Sequence, residues 1–218
     1  MATYCMSDIH GELDKYQKML ETIQFQPSDT LYILGDVIDR NPGGIDIIRD
    51  IMSKENIVLL RGNHEQMCLD TLWNRDPPLG ARKLWLSNGG GDTRRELLYV
   101  ISAKEKHAIL RFLNETPLMA NVEVKGRKFT LVHAAPMQKA DDCLWLRPEE
   151  VPWKEVPENV TCVIGHTPVC FLYTTQPSEP MKIFHSEGFV DIDCGCGNKT
   201  ELRRLACLRL DDMVEFYT

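Results

Sequence analysis

The sequence predicts an α/β protein in which two mixed β-sheets pack face to face as a central sandwich flanked by helices. Three observations carry that expectation. Residues 3–60 alternate short runs of β-formers with runs of helical period, which implies parallel strands joined by right-handed crossovers. Residues 119–217 read instead as strands separated by turns. Polar residues of one chemical kind follow the strand-like runs in both halves, as they do where strand ends gather at the edge of an α/β sheet.

Taken in order, Thr3 to Ser7 reads as a strand, and Gly11 to Gln24 as a helix with Leu13, Tyr16, Leu20 and Ile23 at helical spacing. Thr30 to Leu34 is the next strand, stopped by Gly35. Gly44 to Lys54 is a helix with Ile45, Ile48, Ile51 and Met52 on one face, and Ile57 to Leu60 is a third strand. From Asn63 to about Asn114 the pattern is helical, interrupted at residues 74–80 and by Asn88-Gly-Gly-Gly91. That glycine run lacks the downstream Gly-Lys-Ser/Thr of a phosphate loop, so it reads as a bend between helices, with Asp92 as N-cap of a helix from Thr93 to Val100. Met119 to Val124 and Lys128 to Val132 form a hairpin about Lys125-Gly126. Strands follow at Val160 to Ile164, Met181 to Phe184, Phe189 to Ile192, Leu205 to Leu210 and Met213 to Tyr217.

With 218 residues, no linker and no repeat, one domain over residues 1–218 is expected. A formal net charge of -7 argues against a general nucleic-acid binder, because such affinity comes mainly from Lys and Arg neutralising phosphates. The first residues lack a basic segment followed by an apolar one, and no run approaches the ~20 apolar residues of a membrane span, so a cytoplasmic protein without membrane contact is expected. The eight cysteines are scattered through apolar runs and read as reduced core residues. Cys194-Gly-Cys196 has neither zinc-ribbon nor thioredoxin-like spacing.

The residues at predicted strand ends are Asp8, His10, Asp36, Asn63, His133 and His166, with Asp39, Arg40 and His64 alongside. These are nitrogen and oxygen donors without thiolates, a set that suits Mn, Fe, Zn or Mg. Six protein ligands exceed what one catalytic ion with open positions uses, so two divalent ions are expected. A carboxylate shared between them, for which Asp36 is the candidate, would hold them ~3.5 to 4 Å apart, with a bridging hydroxide as nucleophile for in-line displacement at phosphorus. His107 and His185 do not follow such runs and are expected at the surface or in packing.

Ser7-Asp-Ile-His-Gly11, Gly35-Asp-Val-Ile-Asp-Arg40, Leu60-Arg-Gly-Asn-His-Glu65, Val132-His133 and Gly165-His-Thr-Pro168 together resemble the calcineurin-like metallophosphoesterases, and within them the small bacterial and phage members of the phosphoprotein-phosphatase branch. The resemblance implies the four-layer αββα fold of that family. It also implies Asp8 and His10 on one metal, Asp36 bridging, and Asn63, His133 and His166 on the other, with manganese the first choice of ion. It makes His64 the general acid, oriented and kept charged by Asp39, and gives Arg40 and Arg147, the latter in Leu144-Trp-Leu-Arg147, to phosphate binding alongside Asn63. Ser7 stands where the family usually has Gly, and Asn41 where eukaryotic members have another. Two divalent cations less the charges of Asp8 and Asp36 leave a formal charge of about +2, enough to hold a phosphate dianion on an acidic protein.

The activity expected on this basis is hydrolysis of phosphoserine and phosphothreonine in proteins, by a stand-alone enzyme without an obligatory regulatory subunit. Hydrolysis of dinucleoside polyphosphates or other nucleotides is the alternative, since related members share every metal motif. A non-catalytic phosphoprotein-binding scaffold is disfavoured, because a degenerate member should have lost His64, Asp39 or a ligand.

Overall fold

The computed structural model describes residues 1–173 and 178–218. The first half runs β1 (Thr3–Met6), α1 (Leu13–Thr22), β2 (Thr30–Ile33), α2 (Gly44–Met52), β3 (Ile57–Leu59) and α3 (Asn63–Leu72). Helices α4 (Ala81–Ser87), α5 (Gly91–Tyr99) and α6 (Ala103–Glu115) follow. The hairpin β4 (Met119–Val124) and β5 (Arg127–Val132) leads to α7 (Ala140–Trp145). Strands β6 (Val160–Ile164), β7 (Phe184–His185), β8 (Phe189–Asp191), β9 (Ala206–Arg209) and β10 (Val214–Tyr217) complete the chain.

The strands form two five-stranded sheets, ordered β10-β9-β1-β2-β3 and β4-β5-β6-β8-β7. In the first, β1, β2 and β3 are parallel, and the terminal hairpin β9-β10 adds antiparallel to β1. In the second, β5, β6 and β8 are parallel, flanked by antiparallel β4 and β7. Both sheets are therefore mixed, as expected.

Period-two alternation separates the layers. Tyr4 and Met6 of β1 join the core beneath α1, α2 and α3, whereas Cys5 joins Leu34, Leu131, Val163 and Leu208 in the core between the sheets. On β6, Val163 faces inward while Cys162 and Ile164 pack with Cys143 of α7 on the outer side. Each central strand is apolar on both faces because each is covered on both, which is why these runs lack polar alternation. The eight thiols are unpaired, and all but Cys170 are buried.

Four details differ from the sequence reading. Helix α5 starts at Gly91 with Gly90 as its N-cap, so Asp92 lies in the first turn, where its charge still complements the dipole. Met52 is 41% exposed and Ile47 takes its place in the α2 core face. The strand expected over Met181–Phe184 is reduced to Phe184–His185, although Met181 and Ile183 are buried as core. Helix α7 is not foreseen: one and a half turns are too few for a periodic pattern to declare itself.

The parallel strands of both sheets end at one edge, and within each sheet the loops that follow neighbouring strands are tied together. Asp8 N–H donates to Gly35 O (3.2 Å), and Gly165 N–H to His133 O (2.8 Å). Gly35 is where β2 meets the β3 loop: its φ is +92°, and a Cβ there would lie 2.5 Å from the Gly62 Cα and nitrogen. Gly35→Ala is therefore expected to lower unfolding stability by about 2–4 kcal/mol, from left-handed strain and overpacking together. Urea titration checks it: a loss below ~0.5 kcal/mol, the scale of a neutral surface change, would show that the two loops are not in obligatory contact.

Candidate active site

The nine residues grouped at the strand ends come together at this edge. Asp8 and His10 follow β1, Asp36, Asp39 and Arg40 follow β2, Asn63 and His64 open α3, His133 follows β5, and His166 follows β6. Asp8, His10, Asp36, Asp39, Asn63, His64 and His133 are at most 3% exposed. Among the described residues, six of the nine non-glycine residues with positive φ belong to this set, namely Asp8, His10, Asp36, Asp39, Arg40 and His166. Left-handed backbone costs free energy away from glycine, so its concentration here marks a place where surrounding contacts fix the chain.

Asp36 lies at the middle. Its Oδ2 is 3.6 Å from His10 Nε2, and its Oδ1 is 3.5 Å from His133 Nε2. Asp8 Oδ1 stands 3.8 Å from His10 Nε2. These separations suit donors that share a cation better than donors bonded to each other. Potential ligand atoms of Asp36, His133 and His166 lie within 4.8 Å of one another, and so do those of His10, Asp36 and His64. Two donor sets meeting at Asp36, without sulfur, fit two borderline or hard divalent ions.

The outer nitrogens of the imidazoles are fixed by backbone carbonyls, leaving the inner ones for a ligand: His10 Nδ1 faces Ile38 O (3.2 Å), and His133 Nδ1 faces Leu34 O (2.7 Å). Asn63 Oδ1 is 2.9 Å from His133 Nε2. Turned over, the amide nitrogen would instead reach Asp36 Oδ2 at 3.1 Å, so only the oxygen-inward orientation presents a ligand atom. Asp8 Oδ2 accepts from Ser7 Oγ and from His166 N–H (3.0 Å), so Ser7, in a position where Gly is usual, orients a carboxylate.

Electrostatics follow from burial. Desolvation, and then the neighbouring His64 charge, hold His10 well below the usual imidazole range, and desolvation, then His133, pushes His166 down to about 3. Both are therefore neutral and available as ligands. For His64 burial pulls downward, but the Asp36 and Asp39 carboxylates more than offset it and raise the imidazole above its ordinary value. His64 Nδ1 is 2.7 Å from Asp39 Oδ2, whereas its Nε2 is 3.8 Å from Asp36 Oδ2. His64 thus stands in the first donor set by proximity while one ring nitrogen is committed to Asp39.

The two guanidinium groups act on different imidazoles. Arg40 Nη2 is 3.4 Å from His64 Nε2, and Nη1 donates to Asn198 Oδ1 (3.5 Å). Arg147 is exposed and near enough to His166 for its charge to add to the depression there. Trp145 meets the His166 ring edge to face, centroids 6.0 Å apart. His107 and His185 lie elsewhere, the first tilted against Trp73 with ring centroids 5.3 Å apart and the second 2.7 Å from Glu215.

Sequence reasoning missed the residues that hold this constellation in place. Glu65 is fully buried, and its carboxylate accepts from the N–H groups of Asp36 (2.8 Å), Val37 (2.9 Å) and Gly62 (2.9 Å). An acid three residues after a helix N-cap is a known signal, which could have singled it out. Trp85 Nε1 donates to Asp39 Oδ2 (2.8 Å), and Thr93 Oγ1 accepts from Asp39 N–H (3.1 Å). Asp193, buried close to Asp8, also escaped notice. Burial, and then the Asp8 charge, raise it well above the usual carboxylate range.

The family model for calcineurin-like phosphoesterases matches residues 1–190, and the chain belongs to that family. The symmetrical bis(5'-nucleosyl)-tetraphosphatase of Paracidovorax citrulli (strain AAC00-1) is 31% identical over 176 residues, covering 77% of this chain and 58% of that protein. The protein of that name from Salmonella paratyphi A (strain ATCC 9150 / SARB42) is 30% identical over 150 residues, or 66% of this chain and 48% of its own length. The chain thus spans about half the length of the curated relatives it matches. A solved protein serine/threonine phosphatase from Saccharomyces cerevisiae superposes with a TM-score of 0.64 at 12% identity, covering 96% of this chain and 72% of that one, a likeness of fold alone.

The relatives' names overturn the expectation of a phosphoserine/phosphothreonine protein phosphatase. The physical reason is that the metal-site motifs address the phosphoryl group and are indifferent to what it is attached to. The part that stands is the metal-dependent phosphoesterase, with divalent ions implied by the family and by the donor groups present. No helix among the described residues is long and apolar enough to cross a membrane.

Glu65→Gln would set an amide N–H₂ against the backbone donors of the loops it now binds. A loss of about 1–3 kcal/mol in urea unfolding is expected, the cost of unpaired buried donors. Unchanged stability together with unchanged metal content would show that the loops hold their shape without the carboxylate.

Proposed function

We propose that this calcineurin-like phosphoesterase hydrolyses the phosphoanhydride bridge of dinucleoside polyphosphates within one catalytic unit formed by residues 1–218. The observation that carries the chemistry is the place of Asp36 between two donor sets, His10 on one side and His133 with His166 on the other. Supporting the substrate class are the names of the relatives and two exposed arginines, Arg40 beside His64 and Arg147 near His166, which suit an anion longer than one phosphate.

Asp8, His10 and Asp36 would hold one divalent ion and Asp36, Asn63, His133 and His166 the other, with manganese the first ion to try. When bound, the ions would offset phosphoryl charge and acidify the attacking water. Arg40 grips phosphoryl oxygens from the His64 side and Arg147 from the His166 side, both through planar donor forks. His64 carries its proton on Nε2, because Nδ1–H is committed to Asp39, and delivers it to the departing phosphate oxygen. Burial of the dyad keeps water from competing for that proton. The eight unpaired thiols support a reducing compartment, the cytoplasm.

Two measurements test this reading. Diadenosine tetraphosphate should be turned over with kcat/KM at least ~10²-fold above a phosphoserine peptide, a preference on the scale of sites that hydrogen-bond their cognate group. Equal rates, or turnover of neither, would sink the substrate class. Metal analysis of protein purified without chelator should find two divalent ions per chain. Asp36→Ala should lose at least one of them and lower activity by more than the ~10- to 100-fold typical of a residue outside the ligand shell. Full metal content in that variant would remove Asp36 from the bridging position.

A further inference from the structure

The turn Asn88-Gly-Gly-Gly91, read from sequence as a plain bend, lies against the back of the acid dyad. Three groups of the α4–turn–α5 segment bind Asp39 and Arg40. Trp85 Nε1 donates to Asp39 Oδ2 (2.8 Å), Thr93 Oγ1 accepts from Asp39 N–H (3.1 Å), and Gly89 O accepts from Arg40 N–H (3.1 Å). Trp85 is fully buried, and the turn is shaped to its ring: a Cβ on Gly90 would come within 2.3 Å of the indole nitrogen.

The two hydrogen bonds to the Asp39 carboxylate fall on one oxygen. Oδ2 receives both His64 Nδ1–H and the Trp85 indole N–H, whereas Oδ1 has no partner among the described residues. An aspartate's last torsion is soft, so a single donor would leave the carboxylate free to turn and exchange its oxygens. A second donor to the same oxygen, on a rigid ring that can only donate, fixes which oxygen faces the imidazole. We propose that Trp85 is a positioning residue of the catalytic acid: through Asp39 it sets the orientation in which His64 presents its proton to the leaving oxygen. Gly90 is its necessary counterpart, the one residue that lets the indole reach Asp39. The inference rests on the reading of His64 as proton donor, and it assigns the glycine turn a part in the chemistry.

The test uses leaving groups that differ in their need for a proton. Metal-loaded wild type, Trp85→Phe, Gly90→Ala and His64→Asn are assayed on phenyl phosphate, whose leaving oxygen requires protonation, and on 2,4-dinitrophenyl phosphate, whose leaving group departs as the anion. Trp85→Phe removes the N–H, and Gly90→Ala keeps the indole but displaces it. Both should lose ~10- to 100-fold in kcat on phenyl phosphate and less than ~3-fold on the dinitrophenyl ester, a fraction of the ~10²- to 10⁴-fold a full general acid contributes. In an Asp39→Asn background Trp85→Phe should add nothing further. A purely structural role would instead depress both esters alike in both variants, and that result, or no loss on either ester, overturns the proposal. His64→Asn separates the two readings. If it shows the leaving-group dependence and the Trp85 and Gly90 variants do not, only the positioning role falls; if it shows none, the proton-donor reading fails and takes the inference with it.

Discussion

The arrangement depends on one buried carboxylate. Glu65 gathers the backbone N–H groups of Asp36, Val37 and Gly62, with Ile38 N–H at 3.4 Å, and so joins the loop after β2 to the loop after β3. Hydrogen bonds to a charged acceptor in a dry interior are among the strongest neutral donors can make, and the alternative is a buried charge with nothing to face. The consequence is positional. Asp36 is held by its own amide, and because Asn63 and His64 follow Gly62 directly, the Asp36 carboxylate, the Asn63 amide and the His64 imidazole share one anchor. The acid that makes no contact with substrate thus decides where three groups that would touch it stand.

The second sheet is attached to this anchor by polar bonds as well as by apolar packing. His133 Nδ1 reaches Leu34 O, and the His166 N–H reaches Asp8 Oδ2, each bond running from one sheet to the other at the common edge. The apolar core between the sheets, with Leu34, Leu131 and Val163 fully buried, fixes their spacing but not their register at the edge. Directional bonds supply that. They also account for the left-handed residues. Asp8, Asp36 and His166 turn sharply at their strand ends so that side chains from two sheets face one point, and the strain is tolerated because each carries a tertiary bond.

How much of this was legible depends on whether a residue's chemistry forces it into an unusual place. Asp8, Asp36, His133 and His166 declare themselves because polar groups directly after apolar strands have no reason to be there except a site. The sheets were legible because strands covered on both faces read as uninterrupted apolar runs, as Leu31 to Leu34 does. Glu65 and Trp85 were not singled out, since a glutamate in a first turn and a tryptophan among helical residues are ordinary, and all their partners but Gly62 come from a loop 27 to 46 positions away. Helix α7 escaped for another reason: at six residues it is held by Cys143 against Val132, Cys162 and Ile164 of the second sheet, so tertiary packing decides it rather than local period.

The substrate was misread from the same motifs that identified the reaction, and the structure explains why the two differ. The candidate ligands and the His64–Asp39 pair converge at one edge and all but His166 are buried, so they carry the constraint of packing as well as of chemistry. What distinguishes a protein side chain from a second nucleotide must lie outside them, among exposed groups such as Arg40, Trp145 and Arg147. Those positions are under no packing requirement, and a guanidinium at the rim reads in sequence like any surface charge. Selectivity in this fold is therefore written where physical constraint on the sequence is weakest, while the reaction is written where it is strongest. That is why motifs addressed to one phosphoryl group do not distinguish substrate classes, whereas the relatives carry a name that does.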